Sequence, residues 1–394
     1  MCLAKEQFDK FMKIAFLTPE YPHAKTGSSG GIGTSIKNLA QGLVALGCQV
    51  SVLVYEQNID DFFDDNGIVI YQIKNVKLKG ISWYLTRKKI EKQINELYVQ
   101  KKIDLIEVAD WTGISSFITP KKCPIVIKLH GSDTYFCDLE SRLVKQWNRF
   151  HEKRALQKAN FRISVSQFTA DKTNQIFGTN FDFKIIHNAI NKNDFESNGT
   201  SKPNQILYFG SLIRKKGMLE LPLIFNELYN KNANAKLVLV GKDVTDITTN
   251  SVSTWSLMQK FFSEQAARNV SYLGEIPYDD IQKMIQESAV CIFPSFAEAF
   301  PVSWLEAMAM QKAIVASNIG WASEVISDGI DGLLENPKSH DKFAEKINIL
   351  LNNNELNSAL GQNANQKVKK YFDSNIIAKI NLDFYKTCIS KDYK

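Results

Sequence analysis

Two glutamates, Glu298 and Glu306, stand eight residues apart across the point where a loop becomes a helix. Val290 to Phe293 is a short apolar run that reads as a buried strand, and Pro294-Ser295 opens a loop after it. Pro301 stands where the next helix begins, and Val302 to Met310 continues in good helix formers such as Leu305, Ala307 and Met308. Glu298 therefore falls in the loop, and Glu306 about a turn and a half into the helix. Between them lie the free N–H groups and positive dipole end of a helix N-terminus, which suit an anion. Two hydroxyl acceptors flanking a phosphate-favouring point match a nucleotide sugar, which presents ribose, diphosphate and hexose in a row. Taken alone, two glutamates at this spacing are more simply a loop charge and a solvated helix residue. The choice rests on what surrounds them.

Other groups point the same way. Ile206 to Phe209 is an apolar run that ends in Gly210-Ser211 and leads into the basic turn Arg214-Lys215-Lys216-Gly217. An arginine there can grip a diphosphate with two hydrogen bonds, and a lysine serves as a point charge. The run Lys236 to Val240 also ends in a glycine, Gly241. In the first half, Pro124 to Leu129 runs into His130-Gly131-Ser132-Asp133, and a histidine at the end of a parallel strand lies on the ligand side of such sheets. Lys13 to Thr18 reads as the first strand, followed by a long loop, and Gly30-Gly31-Ile32-Gly33 opens a helix. Paired glycines at a helix N-terminus let a phosphate or a sugar approach the backbone. Gly31, Gly33 and Glu56 suggest a nicotinamide dinucleotide fold as a rival. The third glycine of that fingerprint is Ile36 here, and the loop is too long for its tight turn.

The stretch from Pro294 to Ala309 resembles the Glu-seven-residues-Glu motif of the retaining glycosyltransferases of family 4 (glycosyl transferases group 1). The similarity runs from Met12 onward and is densest between Ile206 and Leu334. It implies an α/β protein of the GT-B fold, two Rossmann-like doubly wound domains facing each other across a cleft. It also implies transfer of a sugar from a nucleotide-diphosphate donor, UDP- or GDP-linked, to an acceptor hydroxyl with retained anomeric configuration. By resemblance Glu306 would hold the ribose, Glu298 the donor sugar and His130 a place beside that sugar, while Lys216 would stabilise the departing diphosphate. Gly210, Ser211, Arg214, Gly241, Phe300, Pro301 and Val302 would complete the donor site, with Gly30 and Gly31 near the donor phosphate and the acceptor. Two departures stand out. Ser211 occupies the family's arginine position, so Arg214 is the candidate substitute, and Trp321 interrupts a Gly-x-Pro-Glu element that reads Gly320-Trp321-Ala322-Ser323-Glu324.

These residues need two positioning frameworks, and 394 residues allow two domains of ordinary size. We expect an N-terminal acceptor domain over 1–190, with 1–11 a dispensable extension, and a polar linker over 191–204. The donor domain would span 205–372, and a last helix over 373–394 would cross back to the first domain. The net charge of +6 is modest and no dense Lys/Arg run suggests nucleic acid. The six scattered cysteines show no metal spacing and suit a reducing, cytoplasmic setting. No metal or resident cofactor is expected, since Asp-x-Asp is absent from the sequence. The expected partners are the nucleotide sugar and a glycan or lipid-linked acceptor in glycoconjugate assembly, with peripheral association at the cytoplasmic membrane face expected by analogy. The alternative is a GT-B-like protein that binds a sugar nucleotide or a partner without catalysis.

Overall fold

The computed structural model describes residues 11–27, 29–195 and 201–390. The extension expected at 1–11 and the middle of the expected linker fall almost wholly outside those residues. Two sheets organise the chain. The first has eight strands in the order Asp61–Asp65, Ile68–Lys74, Gln49–Gln57, Lys13–Thr18, Leu105–Ala109, Ile125–Leu129, Phe161–Ser164 and Lys184–Ile185. All its pairs are parallel except the first, an antiparallel hairpin whose turn is Asn66-Gly67, both at positive φ. That dipeptide is the preferred two-residue hairpin turn. The second sheet has six parallel strands in the order Val270–Tyr272, Lys236–Val240, Gln205–Phe209, Val290–Phe293, Ala313–Ser317 and Leu333–Glu335.

Both sheets are covered on both faces, as parallel sheets require. Along the first strand, Ile14 and Phe16 point to one face, toward Leu39 and Leu43 of the Gly31–Ala45 helix. Ala15 and Leu17 point to the other, toward Ile90 and Ile94 of the Ser82–Val99 helix. This is the two-residue period of a strand buried on both sides. In the second sheet Phe225, Trp304, Trp321, Phe343 and Leu360 pack into one core with the strands.

The chain passes between the domains twice, and the two passages touch. Ile190 donates its N–H to the Phe372 carbonyl at 2.9 Å, and Ser374 donates back to the Ile190 carbonyl at 2.9 Å. Beyond that point the Ser374–Ser390 helix lies on the first domain, with Ile377, Ala378, Tyr385 and Cys388 in its core. A side chain on Gly42 would stand 2.7 Å from the Ser374 carbonyl, so this helix crossing needs a glycine there. Tyr385 donates its hydroxyl to Glu107 at 2.5 Å, and Glu107 lies 4.0 Å from Lys128. Burial pushes the Glu107 carboxyl up and the Lys128 ammonium down, while their opposite charges partly offset this.

Candidate active site

In each sheet, the strand nearest the middle is the one where the chain reverses its direction of growth. In the second sheet that place lies between Gln205–Phe209 and Val290–Phe293, which are neighbours far apart in sequence. Loops leaving the carboxyl ends of two such strands run to opposite sides and open a crevice. One of them carries Lys216 and the other Glu298. The Lys216 ammonium lies 3.6 Å from the Glu298 carboxylate, and Ser295 donates to the same oxygen at 3.1 Å.

Local geometry makes this approach possible. Gly217 has φ +74, and a Cβ there would lie 1.9 Å from the Pro294 carbonyl oxygen, so a side chain would drive the two loops apart. The Phe296 and Ala297 N–H groups donate to the Lys215 carbonyl at 2.7 and 3.2 Å, stitching the loops together. Gly241 has φ +138 and sits where a Cβ would be 2.1 Å from the Gly210 carbonyl oxygen. The two glycine turns therefore lie backbone to backbone. Pro301 precedes the Val302–Ala309 helix as its N-cap, and Glu306 is buried on that helix, 6% exposed, rather than solvated.

The facing domain holds the Glu298 loop by three successive carbonyls. Tyr135 donates its hydroxyl to the Glu298 carbonyl at 2.7 Å. Ser166 and Thr169 donate to the Ala299 carbonyl at 2.9 and 3.2 Å, and the Asn188 amide donates to the Phe300 carbonyl at 2.9 Å. Ser35 in turn donates to the Asn188 side-chain oxygen at 2.8 Å. His187 stacks on Phe300 with centroids 4.7 Å apart. Lys215 reaches across with its ammonium 3.3 Å from the centre of the Phe136 ring, and burial pushes its pKa down to about 8. Sequence reasoning assigned no role to Tyr135, Ser166 or Thr169, and gave Lys215 only a place in the basic turn. Ser166 lies just after the Phe161–Ser164 strand, which was the available signal.

His130 follows the Ile125–Leu129 strand and is buried. Its N–H donates to Asp110 at 2.9 Å, while its ring Nε2 is buried without a hydrogen-bond partner. Burial and the nearby Lys128 charge hold the imidazole down to about 3, so it is neutral near pH 7. Burial holds Asp110 up at about 7. Gly30 caps the Gly31–Ala45 helix on the facing domain, and the N–H of Gly33 donates to the Glu20 carboxylate at 3.0 Å.

Arg214 is placed differently from its neighbour Lys216. Its guanidinium makes two 2.8 Å bonds to Asp246, which also accepts from Thr249. This fork holds Asp246 down to about 2. Arg214 thus fastens the loop around Asp246, with two of its nitrogens occupied. Ser211 offers its carbonyl to the Tyr208 hydroxyl at 2.9 Å. Trp321 is fully buried and meets Phe168 of the other domain edge-on at 5.7 Å, and Glu324 caps the Gln167–Phe177 helix by accepting the N–H groups of Gln167 and Phe168 at 2.8 and 2.9 Å. The departure at position 321 therefore builds domain contact.

The profile of the family described as Glycosyl transferases group 1 matches residues 190–367, and that described as Glycosyltransferase Family 4 matches residues 29–194. The chain belongs to the GT-B glycosyltransferases. This GT-B glycosyltransferase is 26% identical to an uncharacterised glycosyltransferase of Methanocaldococcus jannaschii, over 95% of this chain and 98% of the relative. A shorter stretch, 29% of this chain and 30% of the relative, is 41% identical to the N,N'-diacetylbacillosaminyl-diphospho-undecaprenol α-1,3-N-acetylgalactosaminyltransferase of Campylobacter jejuni. Among solved structures, Anabaena HepE in complex with UDP and glucose matches this GT-B glycosyltransferase with a TM-score of 0.74 at 20% identity, over 95% of this chain and all of that one.

Proposed function

We propose that this enzyme moves a sugar from a nucleotide-diphosphate sugar, UDP- or GDP-linked, to an acceptor hydroxyl with retention and without a metal. The observation that carries the reading is the pairing of Lys216 with Glu298 across the crevice at the strand reversal. Lys216 then stabilises charge gathering on the leaving diphosphate, aided by the peptide N–H groups at the start of the helix after Pro301. Glu306 takes the ribose hydroxyls and Glu298 the sugar hydroxyls. The neutral His130 ring, whose Nε2 is otherwise unsatisfied, is suited to a hydroxyl of the donor sugar. In the transfer step the bond from anomeric carbon to phosphate oxygen breaks and one to the acceptor oxygen forms on the same face. The acceptor proton passes to the departing phosphate oxygen. Positive charge from Lys216 takes the place of a metal in this reading. The Campylobacter relative's name describes transfer onto a diphospho-undecaprenol-linked sugar, which supports a lipid-linked glycan as acceptor.

Thermal unfolding with UDP, GDP, ADP and NAD in turn, with and without chelator, tests the donor. A ligand at a hundred times its Kd adds about 2.7 kcal/mol of stability. One diphosphate should stabilise the parent equally with chelator present, and Glu306→Ala and Lys216→Met should lose most of that gain. Stabilisation by NAD alone, or a strict need for metal, would overturn the reading. Once a donor is known, the anomeric coupling constant of fresh product decides retention.

A further inference from the structure

Within the basic turn, Arg214 forks onto Asp246 and Lys216 faces Glu298, while Lys215 is left over. Among the described residues no carboxylate pairs with the Lys215 ammonium. The acids nearest to it are engaged elsewhere. Glu298 is taken by Lys216 and Ser295, and Glu140 by Arg142 through bonds of 3.0 and 2.6 Å. The ammonium instead stands 3.3 Å from the centre of the Phe136 ring, a weaker partner than a carboxylate. An ammonium withdrawn from water without a counter-ion is costly, and an arriving anion would relieve that cost.

Its place in the crevice is well defined. A side chain on Gly131 would stand 2.6 Å from the Phe136 ring, so the ring lies on the turn that follows His130. On the other wall, a Cβ on Gly210 would lie 3.4 Å from the Lys216 ammonium. Two consecutive lysines thus reach opposite sides of the crevice. A departing nucleoside diphosphate carries more than one negative charge. Ser211 is neutral and the Arg214 fork is committed to Asp246, so Lys216 alone leaves that charge under-matched.

We propose that Lys215 supplies the second positive charge for the nucleoside diphosphate, leaving the Phe136 face to meet a phosphate oxygen when the donor binds. The inference rests on the transfer reading above. The flexible four-carbon stem of a lysine lets its ammonium change partners. Lys215 keeps its proton throughout, because the acceptor proton passes to the departing phosphate oxygen, and it acts by charge alone. Burial holds its pKa down at about 8, with Glu298 and Glu140 pulling it up and Lys216 and Arg142 pushing it down. The charge offered to an incoming diphosphate is therefore present below that pH and is lost as pH rises through it.

Isothermal titration of the full chain with UDP, GDP, uridine and guanosine, at about pH 7 and about pH 9, tests this without an acceptor. At the lower pH, Lys215→Met should weaken the better-bound diphosphate by about tenfold or more, the share of a charge-assisted hydrogen bond. Its affinity for the matching nucleoside should stay that of the parent. From the lower to the higher pH the parent should lose diphosphate affinity several-fold, a fall that Lys215→Met lacks. Lys215→Arg should bind the diphosphate within about threefold of the parent at the lower pH and also lack the fall, since its guanidinium stays charged. Should Lys215→Met fail to fold, the pH comparison of Lys215→Arg with the parent decides. Diphosphate binding by Lys215→Met equal to the parent's would overturn the proposal. So would equal loss of diphosphate and nucleoside, which would leave Lys215 only a tie between the domains through Phe136. A parent that binds neither diphosphate would overturn the transfer reading as well, so the two failures are told apart.

Discussion

Arg214 and Lys216 sit two residues apart in one basic turn, and their partners separate their roles. Asp246 is held down from its ordinary 3.8 to about 2 by the Arg214 fork. The pair's contribution is therefore fully present above pH 3.8 and is lost as pH falls toward about 2. Arg214 is 36% exposed, and solvent screening limits the contribution to about 1 kcal/mol. Arg214→Met should lower unfolding free energy by about that amount at neutral pH, with the gap to the parent closing in acid, as urea unfolding across pH would show. His130 makes a second prediction. With its pKa near 3, its ring resonances should stay flat in NMR between about pH 5 and 8, where an ordinary histidine titrates. At this scale the sequence was informative about charge and spacing, since Lys216 and Glu298 do meet. It could not place Arg214, because the carboxylate that captures it lies 32 residues away in a loop with no pattern.

Among elements, the Pro294–Phe300 loop is fixed from both sides, by Lys215 and the close packing of Gly217 in its own domain and by hydroxyls and an amide from the other. Tyr135→Phe should cost about 1 kcal/mol of stability for the lost hydrogen bond. Because Glu298 hangs from the same peptide, transferase kcat should also fall, and a kinetic assay beside a urea titration separates the two effects. Tyr135→Phe and Ser166→Ala act on adjacent carbonyls, so their costs should fail to add. Strands and glycine turns around this loop were legible from apolar runs ending in glycine. The Asp61–Asp65 strand was not, because three acids in five residues hide its pattern and only Asn66-Gly67 betrays the hairpin. The Gln146–Lys158 helix was equally hidden, as its polar residues and outward rings give no clean apolar stripe.

For the whole molecule, the doubly wound architecture could be read from the alternation of strands and helices, whereas the domain contacts could not, since hydroxyl-to-carbonyl bonds leave no periodic trace. Tyr385→Phe tests the tie between the last helix and the first sheet. Glu107 would keep only Lys128, and the loss should be about 1–3 kcal/mol for a buried acceptor of this kind, read by denaturant unfolding. The return of that helix also sets the order in which a nascent chain can fold. The Gly31–Ala45 helix leaves the ribosome early, but the surface that covers Gly42 is made more than three hundred residues later. At about 5–20 residues per second the first domain waits roughly 15–70 s for its own last piece. The second domain, whose core residues all lie before that piece, can close in the meantime. Holdases working at the exit tunnel would then meet an uncovered apolar groove on the first half of every chain being made.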